Sequence, residues 1–205
     1  MTEPRRRRAN GEASRQRILD AAAEVAGERG YEGTSINLVS ERSGLPASSI
    51  YWHFRNKDEL IAAVIDRSFS DWAETLKRPT SVPDDADRDD FFRLTLRRTG
   101  RGLAEFPDFL RLGLMLILER RPDEPTARRK FLDVRAITAD RTRALYELVF
   151  DGLKADDIAA LVRLTIATAD GLFIARELED IDLSAVFDLL ANAVLGAAER
   201  LANAH

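Results

Sequence analysis

The segment Gly30–Leu60, GYEGTSINLVSERSGLPASSIYWHFRNKDEL, constrains this chain more than any other, because it encodes two helices too short to stand alone. Thr34 and Ser35 offer hydroxyl caps to a first helix ending near Ser43, with Ile36, Leu38 and Val39 supplying its apolar side. Gly44 supplies the turn, since glycine takes the left-handed backbone without steric cost. Pro46 suits the start of a second helix, where its missing N–H is not needed. That helix runs from Ala47 to about Phe54. Ile50 and Phe54 anchor it, and Ser48, Ser49, Tyr51, Trp52 and His53 fall on its other faces. The pattern predicts a helix-turn-helix whose second helix fits a DNA major groove.

Upstream, Ser14 to Arg29 repeats Ile18, Ala22, Val25 and Ala26 at helical spacing and stops at Gly30, giving a supporting helix. Downstream, Asn56-Lys57-Asp58 opens a helix reaching about Lys77, with Leu60, Ile61, Val64, Ile65, Phe69 and Trp72 on its apolar side. After an acidic, proline-containing loop from Pro79 to Asp90, helical patterns cover Phe91–Glu105, Phe109–Arg120, Thr126–Phe150, Asp156–Glu179 and Leu183–Ala204. The predicted fold is all-α: a flexible basic arm at 1–13, a three-helix head at 14–58, and a larger helical body at 59–205.

The segment ILDAAAEVAGERGYEGTSINLVSERSGLPASSIYWHFRNKDEL, residues 18–60, resembles the N-terminal domain of the tetracycline-repressor (TetR) family of bacterial transcription regulators. Gly30-Tyr31, Gly33-Thr34, Gly44, Ile50-Tyr51, Phe54, Lys57 and Leu60 carry the resemblance in order. It implies a homodimer on a palindromic DNA site, a ligand-responsive repressor, and a body holding a small apolar or amphipathic effector. The effector would change the spacing of the two heads, a coupling that typically amounts to about 1–3 kcal/mol.

The resemblance also assigns DNA contacts. Thr34 and Lys57, at the starts of two helices, would hold phosphates. Tyr51 and His53 match backbone-contacting positions, while Ser48, Ser49 and Trp52 are candidates for base edges or thymine methyls. Tyr51 has an alternative as partial core, and Trp52 an alternative against the supporting helix. Four positions depart from the family pattern. Ala47 stands where lysine is frequent, Asn37 where arginine is common, Pro46 replaces a serine cap, and Leu38 replaces an aspartate. Asn37 retains the capacity to pair with adenine.

A net charge of −4 fits DNA binding only once it is divided. Residues 1–60 hold ten Lys/Arg against nine Asp/Glu, and the rest hold 21 against 26. Six arginines against Glu3 and Glu12 concentrate positive charge in residues 1–19, with Arg5 to Arg8 consecutive. Local rather than total charge governs phosphate binding, so the arm is read as entering a minor groove, against the alternative of a solvated tail. The absence of cysteine excludes disulfides and thiolate chemistry and suits a reducing cytoplasm. No apolar segment follows the arginines, so no signal peptide is expected. The longest apolar run, Leu112–Leu118, is about a third of a membrane span.

The two last helices carry apolar stripes with small residues between them. Leu161, Leu164, Leu172, Val186, Leu190, Ala193, Val194, Ala197 and Leu201 fit either a monomer core or, as the resemblance implies, a four-helix dimer interface. In the body, Phe106, Phe109, Leu110, Leu114, Glu119, Phe131, Arg135, Thr138 and Thr168 are candidates for lining an effector pocket, with ordinary core as the alternative. Catalysis is not expected. The chain has no His-x-x-x-His or Glu-x-x-His pair, no phosphate-cradling glycine loop and no nucleophile elbow, and no metal or cofactor is called for. A rival reading has a protein partner, engaged through the acidic body, replace the small effector.

Overall fold

The computed structural model describes residues 3–76, 81–118 and 125–204, with side chains from Asn10 onward. Among the described residues the chain is all-α. Its helices are α1 (Glu3–Gly33), α2 (Ile36–Ser43), α3 (Ala47–His53), α4 (Lys57–Thr75), α5 (Arg88–Glu105), α6 (Asp108–Leu118), α7 (Thr126–Val149), α8 (Ala155–Arg176) and α9 (Leu183–Asn203). Helix α1 begins eleven residues before the predicted Ser14, so residues 3–13 are helical backbone rather than a flexible arm. Gly30, at φ 71° and ψ 178°, breaks α1 where the sequence places its end. Helix α5 starts three residues before the predicted Phe91, because Asp87 caps it by accepting from the Asp90 N–H.

The helices form two compact units that do not coincide with the predicted head and body. One comprises residues 1–70 with 107–134, the other residues 71–106 with 135–205. The first unit therefore recruits α6 and the start of α7 to the helix-turn-helix. Its core combines Ile18, Leu19, Ala22 and Val25 with Val39, Ile50, Phe54, Ile61, Ile65, Phe109, Leu112 and Phe131. Phe69 and Phe109 meet edge-on with ring centroids 5.6 Å apart, and Gly113 is bare because Phe131 occupies the space a Cβ would need. The Asp58 carboxylate accepts from the Thr126 and Ala127 N–H groups at 2.6 and 3.1 Å and from the Tyr31 hydroxyl at 3.1 Å. It thereby supplies acceptors for the free N–H groups at the start of α7.

The second unit is built on α9, which packs against both α5 and α8. Phe92, Tyr146 and Phe150 form a triad with centroids 5.3–5.4 Å apart. The Tyr146 hydroxyl bonds to the hydroxyl of buried Thr165, and burial pushes the tyrosine pKa well above its usual value. Arg93 donates to Asn192 and Arg97 pairs with Asp188, joining α5 to α9 along their exposed edge. Helix α8 has the length and composition of a membrane span. Ile158, Leu161, Val162, Thr165 and Phe173 nevertheless bury one of its faces within this unit.

Helices α5 and α9 approach closely at Gly100, where a Cβ would lie 2.4 Å from the Leu183 carbonyl oxygen. A backbone atom cannot step aside as a side-chain tip can. Gly100→Ala is therefore expected to lower stability by about 1–3 kcal/mol, read as a lower denaturation midpoint at unchanged m. An unchanged midpoint would refute this packing.

Candidate nucleic-acid interface

The exposed surface of α2 and α3 is fixed by a set of local bonds. Ser35, in extended conformation, caps α2 through its Oγ, which accepts from the Leu38 N–H at 3.3 Å. Gly44 ends α2 in the left-handed conformation (φ 66°, ψ 20°), and the Arg17 guanidinium donates to the Ser43 carbonyl at 2.7 Å. The Ser40 hydroxyl donates to the Leu45 carbonyl at 2.7 Å, tying the turn back to α2. Pro46 precedes α3 without a side-chain cap, and the Phe54 N–H closes the helix on the Ile50 carbonyl at 2.9 Å. Arg42 of α2 grips Glu24 and Glu28 of α1 at 2.9–3.0 Å, which holds the Glu28 carboxyl below its usual pKa.

The side chains available to a ligand are Ser35, Asn37, Ser48, Tyr51 and Trp52, all exposed, with Ala47, Ser49 and His53 half-exposed beside them. Tyr51 is 56% and Trp52 73% exposed, so neither is core. Burial, then the nearby Arg15 charge, lowers the His53 pKa, with Glu12 opposing. The imidazole is therefore held toward its neutral form.

Two phosphate assignments need revision. Thr34 is buried at 2% exposure, and its hydroxyl donates inward to the Gly30 carbonyl at 2.7 Å. It stabilises the break between α1 and α2, whereas the outward hydroxyl at the start of α2 belongs to Ser35. Lys57 keeps partial exposure, but its ammonium donates to the Tyr31 carbonyl at 3.0 Å and sits 4.4 Å over the Tyr31 ring. Its first task is internal. The side chains of Arg5 to Arg8 lie outside the described residues.

The proposed effector set is not one site within either unit. In the first, Phe109, Leu110, Leu114 and Phe131 are core at 0–9% exposure. In the second, the Arg135 guanidinium forms a two-bond fork with Asp170 at 2.7 Å, and the Thr138 carbonyl accepts from the Thr142 hydroxyl. Phe106 and Thr168 are half-exposed there, and Glu119 lies outside the described residues. The first unit has an open cleft of about 640 Å³ to which Asp20, Glu24, Glu28, Arg67, Asp108 and Arg111 bring charges of both signs beside Ala23 and Gly27. Burial raises the Asp108 pKa, with Arg111 and Arg67 opposing. Among the described residues there is no metal-binding cluster.

The stripe on α8 and α9 also divides. Leu161, Leu190 and Val194 are internal core at 0–6% exposure, whereas Leu164 is 49% exposed and Ala193 is exposed. Leu172, Val186, Ala197 and Leu201 are intermediate. The outward row further includes Ile174, Leu178 and Leu189, at 46, 80 and 68% exposure. Sequence reasoning missed these because it took Leu190 as the outward residue. Leu189 completes the 186-189-193 step on the exposed face.

Residues 18–64, which hold α2 and α3, match the model of bacterial regulatory proteins of the tetR family. The head is similar to the DNA-binding domain of that family. An HTH-type transcriptional repressor of Mycobacterium tuberculosis is 34% identical over 85 residues, 36% of this chain and 33% of that protein. The HTH-type transcriptional regulator TtgR of Pseudomonas putida is 32% identical over 83 residues, 40% and 39% of the two chains. The chain thus spans about a third of the length of these curated relatives. Solved structures extend the likeness of fold along the chain. SmeT, the repressor of the Stenotrophomonas maltophilia multidrug efflux pump SmeDEF, aligns at TM-score 0.68 and 23% identity over 89% of each chain. FadR of Bacillus subtilis, solved with stearoyl-CoA, aligns at TM-score 0.65 and 17% identity over 89% of this chain and 98% of its own. These TetR-type relatives and fold neighbours are transcriptional regulators rather than enzymes.

The cap at the start of α2 makes the role of Ser35 testable. Ser35→Ala removes the α2 cap and is expected to cost about 0.5–2 kcal/mol of stability. Thermal unfolding monitored by circular dichroism measures it, and an unaltered midpoint would move the cap elsewhere.

Proposed function

We propose that this protein is a sequence-specific DNA-binding transcription regulator, a cytoplasmic TetR-type repressor working as a homodimer on a palindromic operator. The observation that carries the proposal is the outward row Ser48, Tyr51 and Trp52 on α3, a helix anchored by buried Ile50 and Phe54. A large aromatic exposed beside two serines and a histidine, on a helix of major-groove size, suits base edges and methyl groups rather than packing. Ser35 and Asn37 on α2 flank the same surface and are suited to phosphate and base contact, while Ala47 contributes shape alone. Arg15, whose charge acts on His53, adds positive charge beside this surface.

Dimerisation is assigned to the exposed row Leu164, Ile174, Leu178, Leu189 and Ala193. Exposed apolar side chains along α8, the turn that follows it and α9 fit a second copy of the same face. Leu189→Glu is expected to convert the dimer to a helical monomer in sedimentation velocity. A dimer persisting in L189E would remove this face from the interface.

Regulation is assigned to a small apolar or amphipathic molecule bound by the helical body, as FadR of Bacillus subtilis is seen with stearoyl-CoA. Such a ligand shifts the DNA-bound population only by its difference in affinity for the two states. Selection of bound sequences from a random DNA library tests the main proposal. A palindromic motif is expected, and Trp52→Ala should relax it at one position of each half-site. Folded, dimeric protein that selects no motif would overturn the proposal.

A further inference from the structure

Trp52 is 73% exposed, yet its indole is not left to swing freely. It lies against the one place on the first turns of α1 where a side chain is missing among the described residues: a Cβ on Gly11 would stand 3.7 Å from the indole Cη2 and Cζ3 atoms. The His53 ring meets the indole nearly perpendicular, with centroids 4.5 Å apart. Gly11, Trp52 and His53 share a shallow cleft of about 380 Å³ with Asn10, Ser14, Ser48 and Ser49, so α1 and α3 both wall it. Glycine within a helix is disfavoured against alanine and calls for a local reason. Here a Cβ alone would make ordinary contact, while a longer side chain directed at Trp52 would run into the indole.

We propose that Gly11 is a positioning residue for sequence reading, its bare helix face setting the direction in which the Trp52 indole is presented to the DNA. This rests on the DNA-binding function proposed above. The fixed indole contacts one base step by shape against base edges and methyl groups, and α1 thereby shares in sequence preference without touching a base edge itself.

The chain has two tryptophans, so a Trp72→Phe background leaves Trp52 as the sole indole reporter. In that background, Gly11→Leu should shift the emission of Trp52 and change base preference at one position per half-site by roughly tenfold. The dependence of affinity on salt should be unaltered, because no charge is touched. Gly11→Ala, whose Cβ fits, should retain the wild-type emission and motif. Gly11→Gln is a second long variant, and circular dichroism verifies the fold of each. If G11L and G11Q keep the wild-type motif, Gly11 does not position the indole for reading, whether or not the emission moves. If the unsubstituted protein selects no motif, the DNA reading itself falls and the role of Gly11 with it.

Discussion

Everything on the exposed surface of α3 depends on the burial of Ile50 and Phe54 against the head. A helix of seven residues has no independent stability, and its local hydrogen bonds cannot hold it in water. Ile50 is fully buried and Phe54 nearly so, and each such side chain contributes about 1.5–3 kcal/mol of transfer free energy. Two anchors four residues apart fix the rotation of α3 about its axis. That rotation turns Ser48, Tyr51 and Trp52 outward together. The polar bonds around the turn, Arg17 to Ser43 and Ser40 to Leu45, then fix the angle at which α3 leaves α2.

The helix-turn-helix was legible in the sequence because its determinants are local. Gly44 takes the left-handed turn it advertises, Gly30 breaks α1, and Pro46 opens α3. The capping residue was not resolved, since Thr34 and Ser35 are adjacent hydroxyls. Only the bond from Thr34 to the Gly30 carbonyl separates the buried one from the cap. Lys57 was read as holding a phosphate, and its internal partner, the Tyr31 carbonyl, lies 26 residues away.

The same limit explains the misreadings in the later helices. Leu189 and Leu190 are equally apolar, and choosing the wrong one rotates the exposed row of α9 by a residue. Phe109 and Phe131 looked like pocket aromatics, but Phe109 is spent on Phe69 and Phe131 on the space beside Gly113. Arg135 looked available to a ligand until Asp170, 35 residues on, supplied its fork. Periodicity says that a residue faces apolar company. It does not say which helix provides that company.

The Asp58 carboxylate, at the start of α4, joins two other places in the chain: Tyr31 and the first turn of α7. Two of its donors, Thr126 and Ala127, lie 68 and 69 residues downstream. Closing a loop of that length carries an entropic cost that rises only slowly with its size, but it imposes an order on assembly. As the chain emerges from the ribosome, the helix-turn-helix appears early, while these partners are still unmade. The bonds that complete its unit form only after the whole of α5 and α6 has been synthesised. A newly made chain therefore carries the side chains of the helix-turn-helix surface well before it has the frame that holds them.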